Sequence, residues 1–264
     1  MKVLLGGLPA ELELPAAIAE PLGARYAGYP AAGEPVLWAK AALIPGLSVE
    51  VDDRDYPAAV ATWDGARYRI RRRDLDATLD LESGELTIRA RPAHWVVESA
   101  LRVAVSLLLP RRNGLLLHAS GVVEAGRGHV FAGRSGAGKT TMVRLLAPRP
   151  PLGDDLVALL PDGDGFRVHA TPFAGEYGPV ACRSAPLGRL YFLEQAVENR
   201  LSLLDRAAAR TLVLRNTLAY VRDPITARAL QEVAGRLVEA VPCCRLRFRR
   251  EPAIGELLHE PGER

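Results

Sequence analysis

The segment Gly133-Arg-Ser-Gly-Ala-Gly-Lys-Thr140 constrains this 264-residue chain more than any other. It matches the pattern G-x-x-x-x-G-K-[ST], and a chance match in a chain of this composition is expected about two times in a thousand. An apolar strand, Gly128–Ala132, precedes it, and a helix-compatible run from Thr140 follows. Glycines at these spacings turn successive backbone N–H groups into one concavity. The start of the following helix adds positive potential, so the segment predicts a polyphosphate cradle built from Gly133, Arg134, Ser135, Gly136, Ala137, Gly138, Lys139, Thr140 and Thr141. Lys139 is one of only three lysines among 34 basic residues. Its compact ammonium suits phosphate oxygens inside a tight loop better than a planar guanidinium does. Thr140 is the expected magnesium-linked hydroxyl.

The rest of the chain frames that loop. With 48% hydrophobic residues and a net charge of +3, it has material for one sizeable core and a smaller second one. It lacks the one-sided charge of a nucleic-acid or membrane-surface binder. Three cysteines, two of them adjacent, form neither a disulfide framework nor a zinc spacing, which points to a reducing cytoplasm. Glu11 and Glu13 interrupt the first apolar run, and Glu98 and Arg102 interrupt the longest, so neither a signal segment nor a membrane span is expected.

Three regions are expected: a β-rich domain over 1–93, a connecting helix over 94–113 and the loop-bearing domain over 114–264. In the first, Lys2–Leu5 reads as a strand followed by irregular structure. Asp64-Gly65 and Ser83-Gly84 read as hairpin turns of an antiparallel meander. In the connecting helix, Glu98, Arg102 and Ser106 share one polar face. In the third region, Leu115–Val123 and Gly128–Ala132 read as strands, and Phe166–Ala170 pairs with Leu156–Leu160. Helices are expected over about 205–221 and from Pro224, capped by Asp223, to about 241.

Asp154 and Asp155 lie just after the loop helix, where paired carboxylates can divide metal binding and proton transfer. His118, on the strand before the loop strand, can orient an acid or move a proton. Arg134 and Arg215 are candidates for stabilising transferred charge. An alternative reading rests on Leu190-Tyr-Phe-Leu-Glu194, which resembles the strand of an ABC-like ATPase ending in a water-activating glutamate. A nucleotide-binding regulatory module without turnover is a further alternative.

The order His118, Gly133–Thr141, Gly153-Asp154-Asp155 and then Thr171–Gly178 resembles the HPr kinase/phosphorylase superfamily, whose nucleotide site is shared with ATP-dependent phosphoenolpyruvate carboxykinase. The resemblance covers about residues 114–250. It implies a mixed α/β (α+β) fold with a P-loop kinase core, here following the small N-terminal antiparallel β domain read above, which is unlike the family's usual N-terminal domain. It also implies an ATP- and magnesium-dependent kinase acting on a hydroxyl, with pyrophosphate as another donor, and a homo-oligomer. Carried over residue by residue, it makes Asp154 the general base supported by His118, and Asp155 the magnesium-linked acid, or the two exchanged. Glu176 is the loose counterpart of a glutamate-arginine-glycine pattern that this chain otherwise lacks, which weighs against HPr as acceptor and against dephosphorylation. The chain is closer to short HPr-kinase-like proteins that phosphorylate a serine of a peptide, or free serine. A hydroxyl-bearing peptide, small protein or small molecule is therefore the expected partner.

Overall fold

The computed structural model describes residues 1–50, 59–173, 175–178, 180–221 and 223–259. The part of the expected meander over 51–58 lies outside the described residues. Two compact units emerge, Met1–Arg111 with Ala219–Arg228, and Arg112–Leu218 with Ala229–Arg264. Each contains a mixed sheet, and the protein is of mixed α/β type.

The first unit holds β1 (Lys2–Leu5), β2 (Leu8–Glu13), α1 (Ala16–Tyr26), β3 (Leu37–Leu43), β4 (Val60–Trp63), β5 (Tyr68–Arg72), β6 (Leu75–Leu79), β7 (Glu85–Ala90) and α2 (His94–Arg111). The sheet order is β1-β2-β3-β7-β6-β5-β4. Strands β4 to β7 form the expected meander. At its turns Asp64 accepts bonds from the N–H groups of Ala66 and Arg67, and Asp80 does the same for Glu82 and Ser83.

The purely antiparallel expectation is corrected. β2 pairs with β3, and β3 with β7, in parallel. Residues 8–26, expected to be irregular, form β2 and α1. The cause is a crossover: α1 carries the chain from β2 back to a parallel β3, which a tight turn cannot do.

Helix α2 clusters with this first unit. Its polar stripe faces inward, because Glu98 and Ser106 are both buried. Glu98 accepts from the Tyr26 hydroxyl at 3.1 Å and pairs with Arg25 at 3.4 Å and Arg102 at 3.9 Å. Burial and the Glu98 carboxylate together push the Tyr26 phenol well above its ordinary range. Removing the acid takes its carboxylate partner from a buried phenol and from two arginines, so Glu98→Ala should cost about 1–3 kcal/mol. Denaturant unfolding monitored by circular dichroism measures the loss.

The second unit contains β8 (Leu115–Glu124), β9 (Arg127–Ala132), α3 (Lys139–Leu145), β10 (Pro151–Gly153), β11 (Leu156–Asp162), β12 (Gly165–Ala170), β13 (Ser184–Gln195), β14 (Arg200–Leu203), α4 (Arg206–Asn216), most of α5 (Pro224–Ala240), β15 (Cys243–Phe248) and a 3-10 helix (Pro252–His259). β9, β13 and β15 run parallel, and β9 also pairs antiparallel with β8. Phe131 and Tyr191 stack at 4.9 Å on the core side, among Met142, Val143, Leu246 and Phe248. Parallel strands buried in this way read as apolar runs, as Leu190–Leu193 does; Gly128–Ala132 admits His129, whose Nδ1 lies 2.8 Å from the Tyr191 hydroxyl.

Asp205 caps α4 by accepting from the Ala208 N–H at 2.8 Å, and Asp223 caps α5 through the Thr226 N–H at the same distance. α4 ends at Asn216 rather than near 221. There the chain turns extended and the Leu218 N–H bonds the Leu116 carbonyl of β8. A sheet hydrogen bond has replaced the next helical one.

Candidate functional site

The site grows from the way β10 and β11 share one partner strand, with a register shift between Pro151 and Gly153. Gly153 lies opposite Gly121 and Leu156 opposite His118, so β10 and β11 run along a single line of β8. Asp154 and Asp155 are the two residues where that line breaks. Gly153, at a φ of 139°, supplies the backbone conformation that releases them. The Ala119 N–H still bonds the Asp155 carbonyl, which holds Asp155 beside His118.

Asp154 is buried at 3% exposure, and three donors meet its carboxylate. The Thr140 hydroxyl donates at 3.1 Å, the Gly175 N–H at 3.0 Å and the Tyr177 N–H at 2.7 Å. One acid therefore ties the loop helix to the segment around Gly175. Asp155 is more open and lies 3.2 Å from His118 Nε2.

Gly175 is required by contact rather than by backbone angle. A Cβ there would sit 2.8 and 2.9 Å from the two Asp154 oxygens. Gly175→Ala should therefore break a charge-assisted hydrogen bond and lower stability by about 1.5–3 kcal/mol. Thermal unfolding, compared with Gly235→Ala, where an added Cβ meets open space, checks it.

Lys139 opens α3 after Gly138, which has a φ of 103° and no room for a Cβ against the Phe248 ring. The Lys139 ammonium donates to the Gly133 carbonyl at 2.9 Å and the Arg134 carbonyl at 3.1 Å. Burial pushes its pKa down, while Asp155 and Asp154 pull it back up. Gln195, at the end of β13, donates to the Gly136 carbonyl at 2.7 Å and so braces the loop crest.

A cleft of about 270 Å³ gathers His118, Lys139, Thr140, Thr141, Asp154, Asp155 and Glu176, together with Ser135, Gly136 and Gly138. The same cleft is lined by Gly175 and Arg250, which sequence reading missed. Arg250 follows β15 in an Arg-Arg-Glu run and carries no local signal in so arginine-rich a chain. Gly133, Arg134, Ala137 and Arg215 do not line this cleft. They border a second cavity of about 1000 Å³, together with Glu194 and Gln195, that shares only Ser135 and Gly136 with the first.

Chemically, the cleft can hold an anion against an ammonium, a guanidinium and the loop N–H groups. It also offers hard oxygen donors and one acid–histidine pair beside them.

The fold and the site define a mixed α/β protein whose glycine-rich loop, between a parallel strand and a helix, faces two adjacent acids. Residues 90–249, more than half of the chain, match the family model described as SynChlorMet cassette protein ScmC, and the chain belongs to that family. A comparison with curated proteins finds none that matches. Among the described residues, no helix is long and apolar enough to cross a membrane.

Proposed function

We propose that the second unit is a P-loop kinase core that transfers the γ-phosphoryl group of ATP to a hydroxyl, with serine of a peptide or free serine as the acceptor class. The observation that carries the reading is the joint placement of Lys139, the Thr140–Asp154 hydrogen bond and the Asp155–His118 pair in one cleft.

Of the two assignments the resemblance allows, we take the one with Asp154 on the metal side and Asp155 as the base. The lone pairs of Asp154 are taken up by Thr140, Gly175 and Tyr177, which suits an acid that fixes the metal-side hydroxyl. Asp155, less buried and 3.2 Å from the imidazole, is the acid more open to an incoming hydroxyl. Among the described residues no cluster of three or more His, Cys, Asp or Glu forms a metal cage. A magnesium ion bound with ATP takes most of its ligands from phosphates and water, so Thr140 with a neighbouring acid is a sufficient protein share. When bound, magnesium neutralises charge on the β- and γ-phosphates.

Lys139 and the loop N–H groups hold the phosphates, and Arg250 lies in the cleft to meet charge on the transferred group. The acceptor O–H bond breaks, its proton passes to the Asp155 carboxylate, and its oxygen bonds the γ-phosphorus. The bond from that phosphorus to the β,γ-bridging oxygen breaks, and ADP leaves. His118 orients Asp155 and stabilises its protonated form.

Glu194, the acid of the ATPase alternative, lies outside the cleft and is held by Arg247 at 3.0 Å. Incubation with γ-labelled ATP and magnesium, with and without serine-bearing acceptors, tests the choice. Label on an acceptor hydroxyl supports the kinase. Free phosphate released equally fast with and without acceptor overturns it.

A further inference from the structure

The cavity of about 1000 Å³ beside the glycine-rich loop is not lined by Lys139, His118, Asp154 or Asp155. Its walls are the outer side of the loop, the end of β13 and the last turn of α4. Arg134 and Arg215 line it, and among the described residues neither has an ion-pair partner. Its one acid, Glu194, is neutralised by Arg247 at 3.0 Å and Arg245 at 3.8 Å. The cavity is therefore electropositive, over an apolar floor of Phe192, Leu193 and Leu212.

We infer that this cavity seats the acceptor as a peptide segment with a carboxylate next to its reacting hydroxyl, and that Arg215 anchors that carboxylate. The inference rests on the phosphotransferase reading. Three features of the cavity converge on it. The triphosphate already meets Lys139, the loop N–H groups and Arg250 in the smaller cleft, so the Arg215 charge across the larger cavity serves another anion. A planar guanidinium binds a carboxylate through two parallel bonds, which fixes orientation as well as position. The volume is far larger than one hydroxy amino acid needs, and it suits several residues of extended chain. The two cavities meet at Ser135 and Gly136, so the hydroxyl of a segment seated in the larger one would pass that crest to reach Asp155 in the smaller.

The test uses γ-labelled ATP with magnesium and four acceptors. Three are heptapeptides with a central serine flanked by glutamates, glutamines or arginines; the fourth is free serine. The wild-type protein should favour the glutamate peptide over the glutamine peptide by about tenfold or more in kcat/KM, the worth of one charge-assisted pair. Arg215→Ala should erase that preference and leave KM for ATP unchanged, and Arg215→Glu should move it toward the arginine peptide. A helix-terminal arginine with only a structural role would give no such charge-dependent exchange. Equal labelling of the three peptides, or label on free serine alone, overturns the inference and leaves the phosphotransferase intact. A rise in KM for ATP in Arg215→Ala, with peptide preference unchanged, also overturns it and makes the cavity a nucleoside pocket. ATP consumed to free phosphate with no acceptor labelled overturns the phosphotransferase reading and this inference with it.

Discussion

Lys139→Ala is expected to lower phosphoryl transfer by about three orders of magnitude, the loss seen when one preorganised charge donor is removed from a transition state. Lys139 is 7% exposed, and its ammonium already reaches the carbonyls of Gly133 and Arg134 at the mouth of the loop. Alanine removes that charge from a site whose other walls carry Asp154 and Asp155, so the phosphates would face two carboxylates without the cation that offsets them. Nucleotide affinity should fall as well, because the ammonium meets the β- and γ-phosphates in the ground state too. Calorimetric titration with a non-hydrolysable ATP analogue separates the two losses. Circular dichroism should change little, since the lysine's hydrogen bonds run to the loop carbonyls of Gly133 and Arg134 rather than to a strand or helix partner. Lys139→Arg should restore little activity, because the guanidinium needs more room than the loop leaves between Gly133 and Gly138.

The second large effect is expected at Asp155, and its value lies in the contrast with Asp154. Asp155→Asn keeps the shape and removes the proton acceptor, so kcat should fall about 10²- to 10⁴-fold with KM for ATP nearly unchanged. Asp154→Asn instead weakens the bonds to Thr140, Gly175 and Tyr177. It should raise the magnesium concentration for half-maximal rate by about 10- to 100-fold, as outer ligands of metal sites do when removed. Steady-state rates at a series of magnesium concentrations distinguish them. If excess magnesium rescues Asp155→Asn and leaves Asp154→Asn inactive, Asp154 is the base and Asp155 the magnesium-linked acid, and the assignment taken here falls.

What the sequence makes legible here is mostly local. The loop at 133–141 is, and so are the hairpin turns at Asp64-Gly65 and Ser83-Gly84, because glycine and capping aspartates act within a few residues. The β11–β12 pairing and the caps at Asp205 and Asp223 follow from the same local chemistry. Helix α1 is hidden because Pro21 and Gly23 disfavour a helix by themselves. It stands because Ile18, Leu22 and Tyr26 are buried. The parallel pairings of β2, β3 and β7 join residues far apart and leave no short-range pattern. The inward polar face of α2 is illegible for the same reason: the partners of Glu98 include Arg25 and Tyr26, more than seventy positions away.

The candidate site divides the same way. His118, Lys139, Thr140, Asp154 and Asp155 could be picked out by residue type and spacing, and Glu176 through the family resemblance, and all line one cleft. Gly175, Gln195 and Arg250 could not, because each acts through a contact made only in the fold. The division of labour between the adjacent acids is equally a matter of geometry. Spacing puts both near the loop, whereas hydrogen bonds to Thr140 and proximity to His118 separate them.

The most direct measurement is phosphorus NMR of the protein with magnesium, ATP and a serine-bearing acceptor, followed as ATP is consumed. The account predicts a phosphate ester growing in equal amount with ADP, little inorganic phosphate, and neither product in Asp155→Asn. Inorganic phosphate growing in step with ADP whether or not acceptor is present, unaffected by Asp155→Asn and abolished by Glu194→Gln, would contradict it.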